Sequence, residues 1–283
     1  MQGFALFFFI YIKYNKIIEQ NKDNFFGGLM NKYELLNKKF KNCEPIFGTQ
    51  MTVTLSTIML EKLYREDLDF MLFDMEHGIY NTENLIPLLQ VTRLMGLPNI
   101  VRIPAIEYPY FARAIDMGAD AIMVPRVETL DQVKTAVDAT RFYPVGKTGF
   151  GGHGLLRKNE TMEEFQKNRH LIIQIESPKG VENLTAMLET YGEQIASIII
   201  GPYDFSIMIG EPGNTLGENC QMWVKKVFDI CKSYKKSCGI YCNDAVAAEV
   251  YKKLGAEVFW FSMDLNFLLK GYHETFDDIK KLF

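Results

Sequence analysis

Four short polar segments of this sequence carry the residue types that metal-assisted chemistry on an oxo acid requires. They are residues 74–77 (DMEH), 101–104 (VRIP), 174–176 (QIE) and 201–204 (GPYD). Each ends an apolar run typical of a buried strand and precedes a helical stretch. Because the carboxyl ends of parallel strands lie at one edge of a sheet, we expect their carboxylates, arginine and histidine to converge there. Such a set suits a metal-dependent carbon–carbon lyase.

Glu176 and Asp204 are the predicted metal ligands. Glu176 ends the fifth predicted strand and Asp204 lies just past the sixth. Two carboxylates without a nearby cysteine suit a hard divalent ion, Mg²⁺ or Mn²⁺ with Co²⁺ as a further candidate, completed by water and substrate oxygens. The alternative is a pair of solvated loop carboxylates.

Arg102 and His77 are the predicted groups for substrate binding and proton transfer. An arginine at the end of a buried strand needs an anionic partner, and a substrate carboxylate accepts two parallel hydrogen bonds from it. The alternative partner is Glu76 or another acid of the barrel. A histidine ordinarily titrates near neutrality, so His77 can relay protons. Asp74 is placed to orient the His77 ring, and Glu76 is placed to bind metal-held water. A purely structural histidine is the alternative.

The rest of the chain alternates between short apolar runs and helix-period segments, which predicts one parallel (β/α)8 barrel. The predicted strands are residues 46–53, 69–75, 99–104, 121–125, 171–176, 197–201, 237–242 and 258–263. The clearest predicted helices are residues 81–95, 131–141, 245–254 and 264–282. We therefore assign residues 45–283 to a single catalytic barrel.

A glycine-rich stretch at residues 143–159 separates the fourth and fifth units. Residues 149–154 match G-x-G-x-x-G, but they do not follow a strand and open a helix as a dinucleotide site requires. We instead expect a mobile loop over the barrel mouth, with Lys147, Thr148 and Gly149 near the site.

Composition narrows the function classes. The 283-residue chain has a formal net charge of −4, which gives no electrostatic footprint for nucleic acid. Its five cysteines form no C-x-x-C pair, which favours a reducing cytoplasm. The apolar residues 3–12 are too few to span a membrane, which needs about 20. We expect residues 1–44 to be a poorly ordered extension, of which residues 1–29 are an upstream extension or a start-site error. A short membrane-surface anchor is the minority alternative.

The motifs FDMEHG, VRIP, ADAIMVPRVET, RFYPVGKTGFGG, QIES and IIIGPYDFS occur in that order. Through them residues 45–272 resemble the metal-dependent class II pyruvate aldolases, the 4-hydroxy-2-oxoheptanedioate aldolase family related to the citrate lyase β subunit. The resemblance implies a (β/α)8 TIM barrel of the phosphoenolpyruvate/pyruvate superfamily, usually a hexamer whose last helix packs on a neighbouring subunit. It also implies Glu176 and Asp204 as metal ligands, and Arg102 at the pyruvate unit and developing oxyanion. His77 with Asp74 would form the proton-transfer dyad, and the Gly201-Pro202 backbone would hold the pyruvate carboxylate.

The implied reaction is reversible cleavage of a 4-hydroxy-2-oxo acid to pyruvate and an aldehyde. Two departures from the family pattern leave the identity of the aldehyde undetermined. Thr148 stands where many members have arginine, and residues 48–50 (GTQ) stand where many carry tryptophan. Two other functions are kept as alternatives. One is an acyl-CoA ester lyase, whose members usually carry Asp-Leu-Glu-Asp in place of the Asp-Met-Glu-His found here. The other is a non-catalytic barrel that binds a pyruvate-type ligand.

Overall fold

The protein folds as a closed barrel of eight parallel strands in sequential order, as predicted. The computed structural model describes residues 32–152, 156–157 and 160–283. The strands are β1 (Ile46–Met51), β2 (Phe70–Asp74), β3 (Asn99–Arg102), β4 (Ala121–Val124), β5 (His170–Ile175), β6 (Ser197–Ile200), β7 (Ser237–Cys242) and β8 (Val258–Met263). Strand β1 pairs with both β2 and β8, which closes the barrel.

Helices follow the strands on the outside of the barrel. Those in the described residues are α1 (Lys32–Asn42), α2 (Thr57–Leu63), α3 (Thr82–Leu94), α4 (Tyr108–Met117), α5 (Leu130–Thr140), α6 (Met162–Lys167), α7 (Pro178–Tyr191), α8 (Pro202–Met208), α9 (Glu218–Ser233), α10 (Ala245–Leu254) and α11 (Asp264–Lys280). The predicted bounds of β7, β8 and α10 are confirmed. Strand β1 ends two residues early because the backbone amides of Thr52, Val53 and Thr54 all donate to the carboxylate of Asp264.

Alternation along the strands divides the core into two layers. One buried cluster lies between the sheet and the helices, and the other fills the barrel interior. The interior residues are Ile46, Phe70, Leu72, Ile100, Ala121, Met123, Ile172, Ile199, Tyr241, Val258 and Trp260. They fill the barrel below the site, so the side chains at the strand ends stand on a packed floor.

Helix α1 closes the amino-terminal end of the barrel. Its Leu36 and Phe40 are buried in the interior cluster, and Phe40 packs edge-on against His170 with ring centroids 5.3 Å apart. Lys39 pairs with Asp69 at 2.6 Å. Residues 32–42 therefore differ from our expectation of a poorly ordered extension, because two apolar residues four apart suffice to seat one helical turn on the barrel floor. The assignment of residues 1–31 lies outside the described residues.

The described start of the glycine-rich stretch, residues 143–152, packs on the outside of the barrel, which differs from our expectation for Lys147, Thr148 and Gly149. The Lys147 and Thr148 amides donate to the carbonyl oxygens of Asp138 and Arg141, and the Gly149 amide donates to the Tyr108 hydroxyl. These contacts place the segment outside the barrel, against α4 and the end of α5. The reason is topological: a segment that follows a helix and precedes a strand leaves from the amino-terminal end of a barrel. Residues 153–155 and 158–159 lie outside the described residues.

The last helix, α11, buries only Asp264 and carries an exposed apolar stripe. Leu268, Tyr272 and Phe276 are exposed by 63%, 62% and 53%. Homo-oligomer formation, with a hexamer as the expected state, stays a prediction. Among the residues described, we find no helix with the length and apolarity to cross a membrane.

Candidate active site

The carboxyl ends of the strands bring most of the predicted site residues together. On β2 every second side chain points into the barrel, so Asp74 follows Phe70 and Leu72 on the inward face. On β3 the same alternation places Ile100 and Arg102 on the inward face. The other inward positions at this level are Gln50 on β1, Gln174 on β5, Gly201 after β6 and Tyr241 on β7. Glu176 and Asp204 follow directly on β5 and in the first turn of α8. The site is therefore a ring at one end of the barrel, built by strand register.

Arg102 is held by Asp74. The Arg102 Nε and Nη2 atoms donate to the two Asp74 oxygens at 2.7 and 2.5 Å, and Gln50 Nε2 donates to Asp74 Oδ2 at 2.8 Å. Asp74 is fully buried and Arg102 is 5% exposed. Burial alone would lower the pKa of Arg102, but the Asp74 hydrogen bonds and charge reverse this and raise it. The structural ion pair that we kept as an alternative is thus present, with Asp74 as the acid.

His77 and Asp74 do not form the expected side-chain dyad. The Asp74 carboxylate is taken by Arg102 and Gln50, and it meets His77 only at the backbone amide, at 3.4 Å. The His77 ring is instead nearest to Glu76, with Nε2 3.9 Å from Glu76 Oε2. The His77 side chain is 59% exposed, so solvent or a bound molecule can reach it.

Glu76 lies between the histidine and the arginine. Its Oε2 is 3.4 Å from Arg102 Nε, and its side chain is 10% exposed. Burial raises the pKa of Glu76, while the Arg102 and His77 charges oppose this effect. Glu76 is therefore suited to accept or return a proton through His77.

Glu176 is buried, with hydrogen-bond donors on both oxygens. Gln174 Nε2 donates to Oε1 at 2.8 Å, and the Arg126 amide donates to Oε2 at 3.0 Å. Glu176 is only 4% exposed. Burial, reinforced by the charge of Asp204, raises its pKa to about 8. An acid in this position is strained electrostatically as an anion, and a nearby cation would relieve that strain.

Glu176 and Asp204, the acid pair, are the candidate ligands for a divalent ion. Asp74, Glu76, Glu176 and Asp204 share this end of the barrel with Arg102, so the acids of the ring outnumber its arginine. No group of three or more His, Cys, Asp or Glu side chains with metal-binding geometry occurs in the described residues. Glu176 and Asp204 therefore offer two carboxylates, a ligand number typical of Mg²⁺ or Mn²⁺ sites that keep water and substrate oxygens.

Gly201 leaves the space that Glu176 occupies. A β-carbon added at Gly201 would clash with Glu176 Oε1 and come within 2.8 Å of Gln174 Nε2. The Gly201 amide donates to the Ile175 carbonyl at 3.4 Å, and Pro202 has no N–H. The role of the Gly201-Pro202 backbone in holding a carboxylate stays a prediction; the neighbouring amides of Tyr203 and Asp204, in the first turn of α8, have no intrahelical acceptor four residues back.

Comparison with known proteins identifies the family of this chain. The family model for HpcH/HpaI aldolase/citrate lyase matches residues 53–267, a span that holds every residue of the ring except Gln50. The chain belongs to this family. The family match confirms the resemblance drawn from the motifs.

Sequence relatives of this family member include proteins named as aldolases, and solved structures of the family share its barrel. A 5-keto-4-deoxy-D-glucarate aldolase of Salmonella arizonae is 30% identical over 230 residues, covering 80% of this chain and 89% of that protein. The crystal structure of an HpcH/HpaI aldolase/citrate lyase family protein from Burkholderia cenocepacia is 25% identical, with a TM-score of 0.80, covering 89% of this chain and 100% of that chain. An HpcH/HpaI aldolase from Desulfitobacterium hafniense, 24% identical, has the same fold with a TM-score of 0.80, covering 87% of this chain and 96% of that chain.

Besides Tyr241, sequence reasoning missed three residues at or beside the ring of this HpcH/HpaI barrel. Gln50 supports Asp74, Gln174 supports Glu176, and Trp260 places its ring 5.3 Å from the Arg102 guanidinium. Alternation could have found all three, because each occupies an inward position near a strand end. We did not single them out because amides and indoles do not titrate.

Proposed function

We propose that this family member is a divalent-metal-dependent aldolase that reversibly cleaves a 4-hydroxy-2-oxo acid to pyruvate and an aldehyde. The excess of acids around the buried Glu176 supports this proposal most directly, because a resident cation would account for it. Glu176 and Asp204 would hold the ion. When bound, it would supply a Lewis acid that polarises the 2-oxo group and stabilises negative charge on the pyruvate unit.

Arg102 would stabilise the developing oxyanion. Asp74 occupies Nε and Nη2, so the guanidinium is fixed in orientation and Nη1 has no hydrogen-bond partner among the described residues. A donor that is already oriented costs no reorganisation when charge develops. The amides that open α8 would hold the pyruvate carboxylate.

His77 would move the proton. In cleavage it would accept the C4 hydroxyl proton while the C3–C4 bond breaks, which leaves an aldehyde and the enolate of pyruvate. Glu76, 3.9 Å from His77 Nε2, would stabilise the protonated ring. In the synthetic direction the same proton returns to the new hydroxyl group.

The decisive experiment follows pyruvate release from 4-hydroxy-2-oxo acids after metal removal with EDTA and after re-addition of Mg²⁺, Mn²⁺ or Co²⁺. We expect turnover to vanish without metal and to return with it. Full activity in EDTA would contradict the metal role, and cleavage of malyl-CoA alone would replace the aldolase with the acyl-CoA lyase. Pyruvate binding without any aldehyde exchange would indicate a non-catalytic barrel. A homo-oligomer and a cytoplasmic location remain predictions.

A further inference from the structure

One backbone hydrogen bond ties a predicted metal ligand to a residue in an unusual conformation. The Arg126 amide donates to Glu176 Oε2 at 3.0 Å. Arg126 has a φ of 54°, in the left-handed region that residues other than glycine rarely adopt. Its side chain is exposed, whereas its amide reaches a carboxylate of a residue that is only 4% exposed. The conformation of Arg126 therefore has a consequence inside the site, because it directs a hydrogen-bond donor at Glu176.

Arg126 lies in the loop between β4 and α5, residues 125–129, which we name the β4 loop. The loop packs closely on the next unit of the barrel. The Val127 amide donates to the Gln174 carbonyl of β5 at 3.0 Å. On α7, a β-carbon added at Gly180 would come within 2.7 Å of the Val127 carbonyl oxygen. The residue after Arg126 is therefore held between β5 and α7, with the two backbones in close approach.

Glu128 joins the β4 loop to the start of α7. Its Oε1 accepts from Ser177 Oγ at 2.7 Å, and its Oε2 accepts from Lys179 Nζ at 3.0 Å. Its backbone carbonyl accepts from Asn183 Nδ2 at 2.8 Å. Ser177 directly follows Glu176, so this clamp reaches the residue beside the predicted ligand. The Ser177 and Lys179 hydrogen bonds lower the pKa of Glu128, which keeps its carboxylate ionised near neutrality.

A clamp of this kind is what a strained residue requires. An unfavourable backbone conformation persists only where the surrounding structure over-determines it. Without the Glu128 contacts, Arg126 would be free to leave the left-handed region, and its amide would turn away from Glu176. A ligand carboxylate depends on the partners that fix its orientation, and the loss of such a partner typically weakens metal binding by about tenfold to a hundredfold.

We infer that Glu128 is a positioning residue for the metal site. By clamping the β4 loop to α7, it keeps Arg126 in the left-handed conformation, and the Arg126 amide then holds Glu176 in the orientation that binds the ion. This inference rests on the proposed function, in which Glu176 is a metal ligand. Glu128 acts through the backbone of Arg126, without taking part in the reaction.

The first test measures Mn²⁺ affinity by titration calorimetry in Glu128→Ala. We expect the dissociation constant to rise by about tenfold, because Glu176 loses a fixed donor. Lys179→Ala is the matched control. The Lys179 side chain is 59% exposed, and its loss leaves the Ser177 and Asn183 contacts of Glu128 in place. This control should bind Mn²⁺ like the wild type.

The second test separates a role through Arg126 from a general loosening of the structure. Arg126→Gly and Arg126→Ala are each combined with Glu128→Ala, so the two double variants carry the same charges. Glycine adopts the left-handed conformation without steric cost, whereas alanine does not. The glycine variant should therefore recover most of the lost Mn²⁺ affinity, while the alanine variant should stay about tenfold weaker than the wild type.

The outcomes distinguish the two hypotheses. If the wild type does not bind Mn²⁺, the proposed function fails. If the wild type binds and Glu128→Ala binds equally well, or if glycine and alanine at position 126 give equal affinities, only the clamp hypothesis fails. Gly180→Ala serves if Glu128→Ala does not fold, because its new β-carbon would displace the Val127 carbonyl. We expect a similar loss of Mn²⁺ affinity there, and unchanged affinity would contradict the clamp.

Discussion

At the amino-terminal end of the barrel, the acids are paired with an equal number of arginines, whereas at the carboxyl end the acids outnumber the arginines. Glu160 pairs with Arg169 at 3.1 Å and with Arg157 at 3.8 Å, and Arg157 also pairs with Asp120. Burial would raise the pKa of Glu160, but its hydrogen bonds and the two arginines lower it. Burial together with a second acid raises the pKa of Glu176 instead.

Under the proposed function, this contrast separates charges that stabilise the fold from charges that serve the reaction. Helix α1 packs Leu36 and Phe40 against the amino-terminal end of the barrel interior, while the carboxyl end keeps an exposed histidine and acids that outnumber the arginines. A glutamate in each cluster allows the same substitution to be made at both ends.

The largest effect should come from Glu176→Gln. The amide of the new glutamine keeps the shape of the carboxylate, and its oxygen can accept the hydrogen bond from the Arg126 backbone amide. Its nitrogen can donate to Gln174 if the Gln174 side-chain amide flips. Gln174 Oε1 is available for this, because it is buried without a partner among the described residues. We expect metal-dependent turnover to fall by about a thousandfold or more. The metal-free melting temperature at pH 9 should not fall, because a buried charge is removed. A variant that keeps activity would contradict Glu176 as a ligand.

Glu160→Gln should do the opposite. It leaves Arg157 and Arg169 with less countercharge in a buried cluster, which should lower the free energy of unfolding by about 3 kcal/mol. Urea denaturation measures this loss, and kcat/KM per folded molecule should match the wild type. If Glu160→Gln impaired catalysis more than stability, the division between the two ends would be wrong.

Gly201→Ala should affect the metal site alone. The added β-carbon would push the Glu176 carboxylate from its place, so we expect Mn²⁺ affinity to fall about tenfold to a hundredfold. Titration calorimetry gives the affinity. Gly271→Ala, where the new β-carbon meets nothing within 4 Å, is the control and should bind Mn²⁺ normally. Equal affinity in both variants would remove Gly201 from the account.

The two ends should also give opposite pH dependences of stability, each gradual over several pH units. The pKa of Glu176 is about 8 in the folded protein and 4.5 ordinarily. Between pH 4.5 and 8 the folded state therefore binds more protons than the unfolded state. Its contribution therefore falls as pH rises to 8, by at most about 1.4 kcal/mol per pH unit. Burial and nearby arginines lower the pKa of His170 to about 3, so its contribution is complete above 6.5 and falls as pH falls.

The His170 contribution is complete above pH 6.5, so a decline in stability from there to pH 8 reports on Glu176. Calorimetry of metal-free protein from pH 4 to 9 should show this decline in the wild type but not in Glu176→Gln. Saturating Mg²⁺ should abolish the same decline. His170→Gln should remove only the acid-side loss. A decline above pH 6.5 that survives in Glu176→Gln would point to another group.

Sequence patterns predicted the barrel because apolar runs and helical periods are local signals. They failed where pairing across strands decides the outcome. Arg102 and Asp74 are register partners on β3 and β2, so each satisfies the other, and no local pattern around either residue reports this. Helix α1 was missed because Leu36 and Phe40 are its only buried residues among many lysines and asparagines. The position of Lys147 could have been predicted from the rule that loops joining a helix to the next strand lie at the amino-terminal end of a barrel.

Proton release on metal binding tests the central claim most directly. If Glu176 is mostly protonated at pH 7 because its pKa is about 8, binding of Mn²⁺ should expel about one proton per ion at pH 7 and almost none at pH 9. Titration calorimetry in buffers of different ionisation enthalpy counts these protons. We predict one ion per chain with this pH-dependent release, lost together in Glu176→Gln. Saturable binding without proton release at pH 7, or no binding, would contradict the account.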